Sequence, residues 1–239
     1  MNFRVLLLIT FLASNTMLMA QNQYTSQPVI WFTATEKLLL NDTWNVKLNI
    51  QQRQFVNTPG SFQFLASGTL ERKLNKNFST GMGFMFFDFR LANPADGDLV
   101  DLPELRPYEY VTFSYVRNRL KFFNRLLVEQ RFQKHLAGEG MVTPNYHLNH
   151  RIRLKWQISI PLSSKLSLIA SDEPMINFGP DIDRNTFDQN RLIVMGSYKL
   201  RENLTLGTGY MNWIFQRVGG KSFDIRHVWL IELSHIIRR

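Results

Sequence analysis

The stretch Asn149–Leu162, NHRIRLKWQISIPL, decides the fold. Asn149, Arg151, Arg153, Lys155, Gln157 and Ser159 are polar, and Ile152, Leu154, Trp156, Ile158, Ile160 and Leu162 are apolar. A strand sends successive side chains to opposite faces, so this period of two gives one apolar face and one strongly basic face. A soluble antiparallel sheet buries its apolar face and wets the other. A membrane barrel is arranged inside out, apolar toward lipid and polar toward a lumen. The second arrangement places Leu154 and Ile158 on lipid and Arg151, Arg153 and Lys155 in the lumen.

The same alternation recurs along the chain. Trp44, Val46, Leu48 and Ile50 oppose Asn45, Lys47, Asn49, Gln51 and Arg53, and Phe62, Phe64, Ala66 and Leu70 oppose Gln63, Ser67, Thr69, Glu71 and Lys73. Phe78, Met82, Phe84 and Phe86 share a face. Val111, Phe113 and Tyr115 oppose Tyr110, Thr112 and Ser114, and Phe122, Leu126, Val128 and Phe132 oppose Arg125, Glu129, Arg131 and Gln133. Leu192, Val194, Tyr198 and Leu200 oppose Gln189, Arg191, Ser197 and Lys199, and Trp229, Ile231 and Leu233 oppose Arg226, Glu232 and Ser234. No helical period of comparable strength competes.

Connections alternate in length. Asn41–Asp42, Leu74–Asn77, Arg117–Leu120, Ser163–Lys165 and Arg201–Asn203 are short. Val56–Ser61, Leu91–Glu104, His135–Pro144, Glu173–Thr186 and Val218–Ser222 are long. Tight turns on one rim and longer loops on the other are the habit of outer-membrane barrels. The expected fold is therefore all-β, an antiparallel transmembrane β-barrel of about 10–12 strands. Ten connections imply eleven strands, whereas closed bacterial barrels normally have an even number. Either Val29–Glu36 lies outside the wall, giving ten, or a further strand gives twelve.

Residues 1–20 combine Arg4, the apolar run Val5–Ala13 and the small-ended stretch Met17–Ala20, the layout of a cleaved export signal. The run is too short for a helical span, which needs roughly 20 residues. Residues 21–239 then form one domain. The signal carries one charge, Arg4, of the formal net charge of +9. The sequence has no cysteine, which removes disulfides, thiol chemistry and cysteine zinc sites from an exported chain. Nineteen Phe, seven Tyr and five Trp within a hydrophobic content of only 44% fit many half-apolar strands. Among the tryptophans, Trp44 and Trp213 sit toward strand ends, where an interfacial aromatic girdle would place them.

Several segments in order, Glu129–Gln130–Arg131, Asn149–His150–Arg151–Ile152–Arg153, Asp172–Glu173–Pro174, Phe187–Asp188–Gln189–Asn190–Arg191, Gly209–Tyr210–Met211–Asn212 and His227–Val228, resemble those of domain of unknown function family 2490. The resemblance covers most of the chain and implies a β-barrel in the outer membrane of a diderm bacterium. The family has no established activity, so the resemblance assigns no functional residue. Unlike many outer-membrane barrels, the sequence ends Ile236–Ile237–Arg238–Arg239 rather than on an aromatic residue.

The polar faces bring a basic cluster into one lumen: Lys47, Arg53, Arg125, Arg131, Arg151, Arg153, Lys155, Arg191, Lys199 and Arg226, with Glu71, Glu129 and Glu232 as acidic partners. Charges in a narrow lumen must pair with each other or with trapped water, because an unpaired buried charge is costly. The competing functional reading is a basic pocket or pore for an anion. For an enzyme, a membrane-barrel lipase would place His and Ser two apart on one strand face, and none of His135, His147, His150, His227 and His235 is followed so by Ser. His147 and His150, three apart, fall on opposite faces and make a poor metal pair. Asp181, Asp183 and Asp188 offer calcium ligands in one loop, with a spacing that matches no calcium-loop pattern. No catalytic residue, metal or cofactor is therefore expected. The expected function is a non-enzymatic outer-membrane barrel with a charged, largely occluded lumen and loops that bind a partner. The alternatives are a small anion-selective channel or transporter, and an outer-membrane lipid-modifying enzyme. The expected partners are outer-membrane lipid, the outer-membrane assembly machinery and a small anionic ligand. Nucleic acid is excluded by export and by the lack of a recognition motif.

Overall fold

A computed structural model describes residues 23–57, 61–92, 97–136, 141–179, 182, 184–217 and 219–238. The export-signal segment 1–20 and the aspartates Asp181 and Asp183 lie outside the described residues. Eleven strands follow in order: β1 Gln23–Leu39, β2 Trp44–Phe55, β3 Ser61–Lys73, β4 Phe78–Ala92, β5 Leu99–Arg117, β6 Leu120–Gln133, β7 His147–Pro161, β8 Leu166–Phe178, β9 Phe187–Arg201, β10 Leu204–Gln216 and β11 Ser222–Arg238. Each pairs antiparallel with the next, and β1 closes the barrel against β11.

That closing pair is parallel, running from Gln23 opposite Ser222 to Leu39 opposite Arg238. The wall is therefore mixed, and the even-number expectation fails: Val29–Glu36 belongs to the wall, and the count is eleven. The seam is held from inside. Val29, Trp31, Val228 and Leu230 are buried together with Phe62, Met211 and Trp213 in one apolar cluster. Burying side chains of this size contributes about 1.5–3 kcal/mol each, enough to fix a pairing whose hydrogen bonds are slanted and slightly weaker than antiparallel ones.

The short turns, which share one rim, are built by local side-chain chemistry. Asn41 Oδ1 accepts from the amides of Thr43 and Trp44 at 2.9 and 2.8 Å, and Asn75 Oδ1 from Asn77 and Phe78 at 2.8 and 2.9 Å. Ser163 Oγ does the same for Lys165 and Leu166. These are side-chain mimics of a backbone turn. The β5–β6 turn has Asn118 and Arg119 at φ of 49° and 69°, the doubly positive pattern that matches the twist of a two-residue hairpin.

The outward faces are apolar and open: Met82 is 68% exposed, Trp229 57% and Leu48 56%, with Phe84, Val111, Leu126, Leu192 and Val194 on the strands between. At the short-turn rim Phe78, Phe113, Tyr115 and Phe122 stack in sequence at 4.8, 5.3 and 4.7 Å across β4, β5 and β6. All strands exceed the roughly 9–11 residues that a tilted strand needs to cross a bilayer.

Candidate functional site

Inward positions of β5 to β9 carry a continuous charge network. Glu129 on β6 is 0% exposed and is held by Arg151, whose Nε donates at 2.7 Å, and by Arg153 Nη1 at 2.8 Å. Arg153 also forks onto Glu173 of β8 at 3.0 and 2.9 Å, and Arg125 reaches the same carboxylate at 2.6 Å. Toward the long loops, Glu104 takes a bidentate pair from Arg106, both bonds 2.6 Å, and a bond from Arg131 at 2.7 Å. Asp188 accepts from Arg151 Nη1 at 2.7 Å and from Asn177 Nδ2 at 3.1 Å. Planar forks on carboxylates are among the stronger, geometrically specific polar contacts.

A second knot sits nearer the short turns. Glu71 accepts from Asn45 at 3.0 Å, Lys47 at 2.6 Å and the Tyr110 hydroxyl at 2.7 Å, with Lys37 at 3.5 Å. Tyr110 reaches Glu71, and Tyr108 the Thr69 hydroxyl at 2.5 Å, by lying across β4, where Gly81 and Gly83 leave room. A Cβ at either glycine would stand 2.6 Å from the facing tyrosine ring. Small residues beside large ones are how the inside of a narrow barrel fills.

The opposite side of the interior is aromatic and cationic. The Arg53 guanidinium lies 3.5 Å over the Trp31 ring, and Arg53, Arg191 and Arg226 lie 5.5, 5.0 and 4.7 Å from the Trp213 ring centroid. Between this side and the charge network, at the long-loop end, is a cavity of about 380 Å³. Its walls include Arg53, Arg106, Arg131, Arg191, Trp213 and Arg226.

All the basic residues singled out in the sequence occupy inward positions, Lys199 at the exposed short-turn end of its face, as do Glu71, Glu129 and Glu232. Arg151, Arg153, Arg125 and Arg131 meet in the network, and Lys47 joins Glu71. Lys155 and Glu232 share the interior without a direct ion pair between them. Three charged residues stand differently in the structure than in the sequence reading, where Glu104 and Glu173 bound loops and Asp188 is one of the loop acids. All three are inward strand residues that anchor the network. Prolines caused two of these errors: Pro103 and Pro107 in β5 and Pro174 in β8 remove ladder donors, yet they point outward while Glu104, Arg106 and Glu173 point in. Asp188 bonds to Arg151 and is not a free loop ligand. Trp213 is a further correction. It is 3% exposed, inside the barrel rather than in a girdle, because β10 reverses the usual polarity: Gly207, Gly209, Met211, Trp213 and Phe215 face inward, and Thr208, Tyr210 and Asn212 outward. Its alternation was readable, but not the choice of face.

The histidines are spread over both rims and the outer wall, and His235 Nδ1 lies 2.9 Å from Glu36 Oε2 at the short-turn end. His135 and His147 pack edge to face at the long-loop rim, His150 stacks on Phe178 outside, and His227 Nδ1 lies 2.6 Å from the Tyr210 hydroxyl on the outer wall.

The sequence model of a family described as Protein of unknown function (DUF2490) matches residues 29–224. No curated protein sequence matches the chain. A solved structure of the NanC porin, in a rhombohedral crystal form, is similar with a TM-score of 0.52 at 9% identity, covering 86% of this chain and 96% of that one. The likeness is one of fold, a porin-type closed barrel.

Proposed function

Because the chain belongs to the DUF2490 family, which carries no assigned activity, we propose its role from the barrel itself: an integral outer-membrane protein, non-enzymatic, with a lumen closed by its own side chains and a binding role at its long-loop end. Export by the segment 1–20 is part of this reading. The observation that carries it is Glu129, an interior carboxylate at 0% exposure, locked between Arg151 and Arg153. An open aqueous lumen would wet it. Met175 and Val228, also inward, are likewise at 0% exposure. Eleven strands lie nearer the eight-stranded barrels that side chains just fill than the sixteen-stranded ones that leave a channel. The exposed apolar outer wall supports the membrane location, since soluble chains rarely leave so much apolar surface open.

Planar-bilayer recording tests the closed lumen: silence or a narrow conductance is expected, and a large steady conductance refutes it. Location is tested by heat-modifiable mobility and retention after carbonate washing. Recovery as a soluble periplasmic monomer overturns it.

The second reading, a small anion-selective channel, is favoured by the interior excess of arginine and lysine. It gains ground if a small conductance prefers anions and falls when Arg151, Arg153 and Lys155 are neutralised.

A further inference from the structure

The charge network leaves one part of the interior unbalanced. The cavity at the long-loop end is lined by seven cationic side chains and two acidic ones, Glu104 and Asp188. Both acids are already committed, Glu104 to Arg106 and Arg131, and Asp188 to Arg151. The remaining guanidinium groups, Arg53, Arg191 and Arg226, are 3%, 8% and 4% exposed. Among the described residues Arg53 and Arg191 have no carboxylate partner. Arg53 donates only to the amide oxygens of Gln63 and Gln51, at 2.6 and 2.8 Å, and Arg191 only to Gln189 at 3.1 Å. The nearest carboxylate to Arg226 is Asp224, whose Oδ2 lies 3.9 Å away, while its Oδ1 accepts two closer bonds from Arg217, at 2.6 and 2.9 Å.

Unsatisfied polar atoms collect at the same place. Arg53 Nε, Arg226 Nε, Trp213 Nε1 and Trp31 Nε1 are buried without a hydrogen-bond partner. All four are donors. Three like charges, two of them with an orphaned Nε, are costly in a low-dielectric interior unless something supplies acceptors and negative charge. No carboxylate lies within 3.5 Å of these three among the described residues, whereas Arg106, Arg125, Arg131, Arg151 and Arg153 each have one closer than 3 Å.

We propose that this cavity is a binding site for a small organic anion, a carboxylate or phosphate ester carrying a flat apolar body. The guanidinium forks of Arg191 and Arg226 match the planar oxygens of either group bidentately. Trp213, Phe215 and Phe87, which line the same cavity, offer apolar faces beside them. A volume of about 380 Å³ is far larger than a bare inorganic anion needs and lies at the lower end of ordinary small-molecule sites. The site goes beyond the closed-lumen reading and does not depend on it, since a conducting barrel would hold the same cradle.

Calorimetric titration of the folded full barrel in detergent, at low salt, tests this. The probes are phenyl phosphate, benzoate, inorganic phosphate, and benzyl alcohol as the neutral control. Phenyl phosphate and benzoate are expected to bind saturably, inorganic phosphate more weakly and benzyl alcohol not at all. Arg191→Gln and Arg226→Gln should each weaken phenyl phosphate by about tenfold or more, roughly the value of one charged fork. Arg72→Gln, which removes a guanidinium over the Trp44 ring at the short-turn end, should leave it unchanged. A purely structural role predicts the reverse pattern of stability. Here Arg191→Gln should hold or raise the urea midpoint of the empty barrel, because it removes repulsion, while abolishing the further rise that phenyl phosphate gives the wild type. If a glutamine variant fails to fold, Arg191→Lys keeps the charge, loses the fork, and should bind at intermediate strength. Failure of both anions to bind the folded wild type overturns the proposal. So do unchanged affinity in the arginine variants, equal affinity for inorganic and phenyl phosphate, or binding of benzyl alcohol.

Discussion

Glu129 shows what a single residue does in this interior. It is 0% exposed with two arginines on it, and its removal leaves each of those buried cations short of one carboxylate. Breaking one partner of a buried pair costs about 3–5 kcal/mol, so Glu129→Ala should lower unfolding stability in vesicles by that order, read from urea titration. The outer wall obeys the opposite rule. Leu154 and Arg153 are sequence neighbours on opposite faces, and Leu154 is on the open side. Leu154→Arg should cost roughly 2–4 kcal/mol in a bilayer, the penalty for a cation on the lipid face of a barrel. A cysteine at 154 should react with a lipid-phase probe and one at 153 should not; the inverse labelling would turn the barrel inside out. The basic lumen face was legible because Arg151, Arg153 and Lys155 alternate with Ile152, Leu154 and Trp156 inside a longer run of polar and apolar positions. Glu104 and Glu173 were illegible because the prolines beside them read as loop, and only the pairing of neighbouring strands shows that those prolines face outward.

Among the elements, β1 and the β5–β6 hairpin respond to different forces. β1 stays in the wall because Val29 and Trp31 bury against Val228 and Leu230. Trp31→Ala empties that contact and should destabilise by about 3–5 kcal/mol, the usual cost of deleting a large buried aromatic. Because the loss falls on the closing seam, protease should then cut β1 before it cuts β6 or β7. At the hairpin, Arg119 holds φ of 69°, a conformation that costs a residue with a Cβ about 1–2 kcal/mol and glycine almost nothing. Arg119→Gly should stabilise by about 1 kcal/mol, visible as slower unfolding. Strand positions were readable from period two, and turn positions from the short breaks between the alternating runs. The sheet's order at the seam was not, because Val29–Glu36 alternates weakly and its partner lies some two hundred residues away. The inward apolar face of β10 was likewise hidden, since alternation gives two faces without saying which is inside.

For the molecule as a whole, the interior divides into a neutralised half on β5 to β8 with Asp188 and a cationic, aromatic half around Trp213, and the wall divides into antiparallel hairpins and one parallel seam. The seam has a result for sidedness. A wall made only of hairpins returns both ends of the chain to one rim, and cutting out or duplicating a hairpin never changes that parity. Here β1 sets out from the long-loop rim beside Ser222, and β11 finishes at the short-turn rim beside Leu39. A peptide epitope placed just ahead of Gln23 and one placed just behind Arg238 should therefore be displayed to different compartments. Antibody applied to intact cells should stain the first, and only permeabilised cells should stain the second. Both epitopes on one side would mean that β1 leaves the wall. A head-to-tail circular permutant would need its linker to cross the bilayer, so opening the ring at any turn other than the native one should yield no inserted barrel.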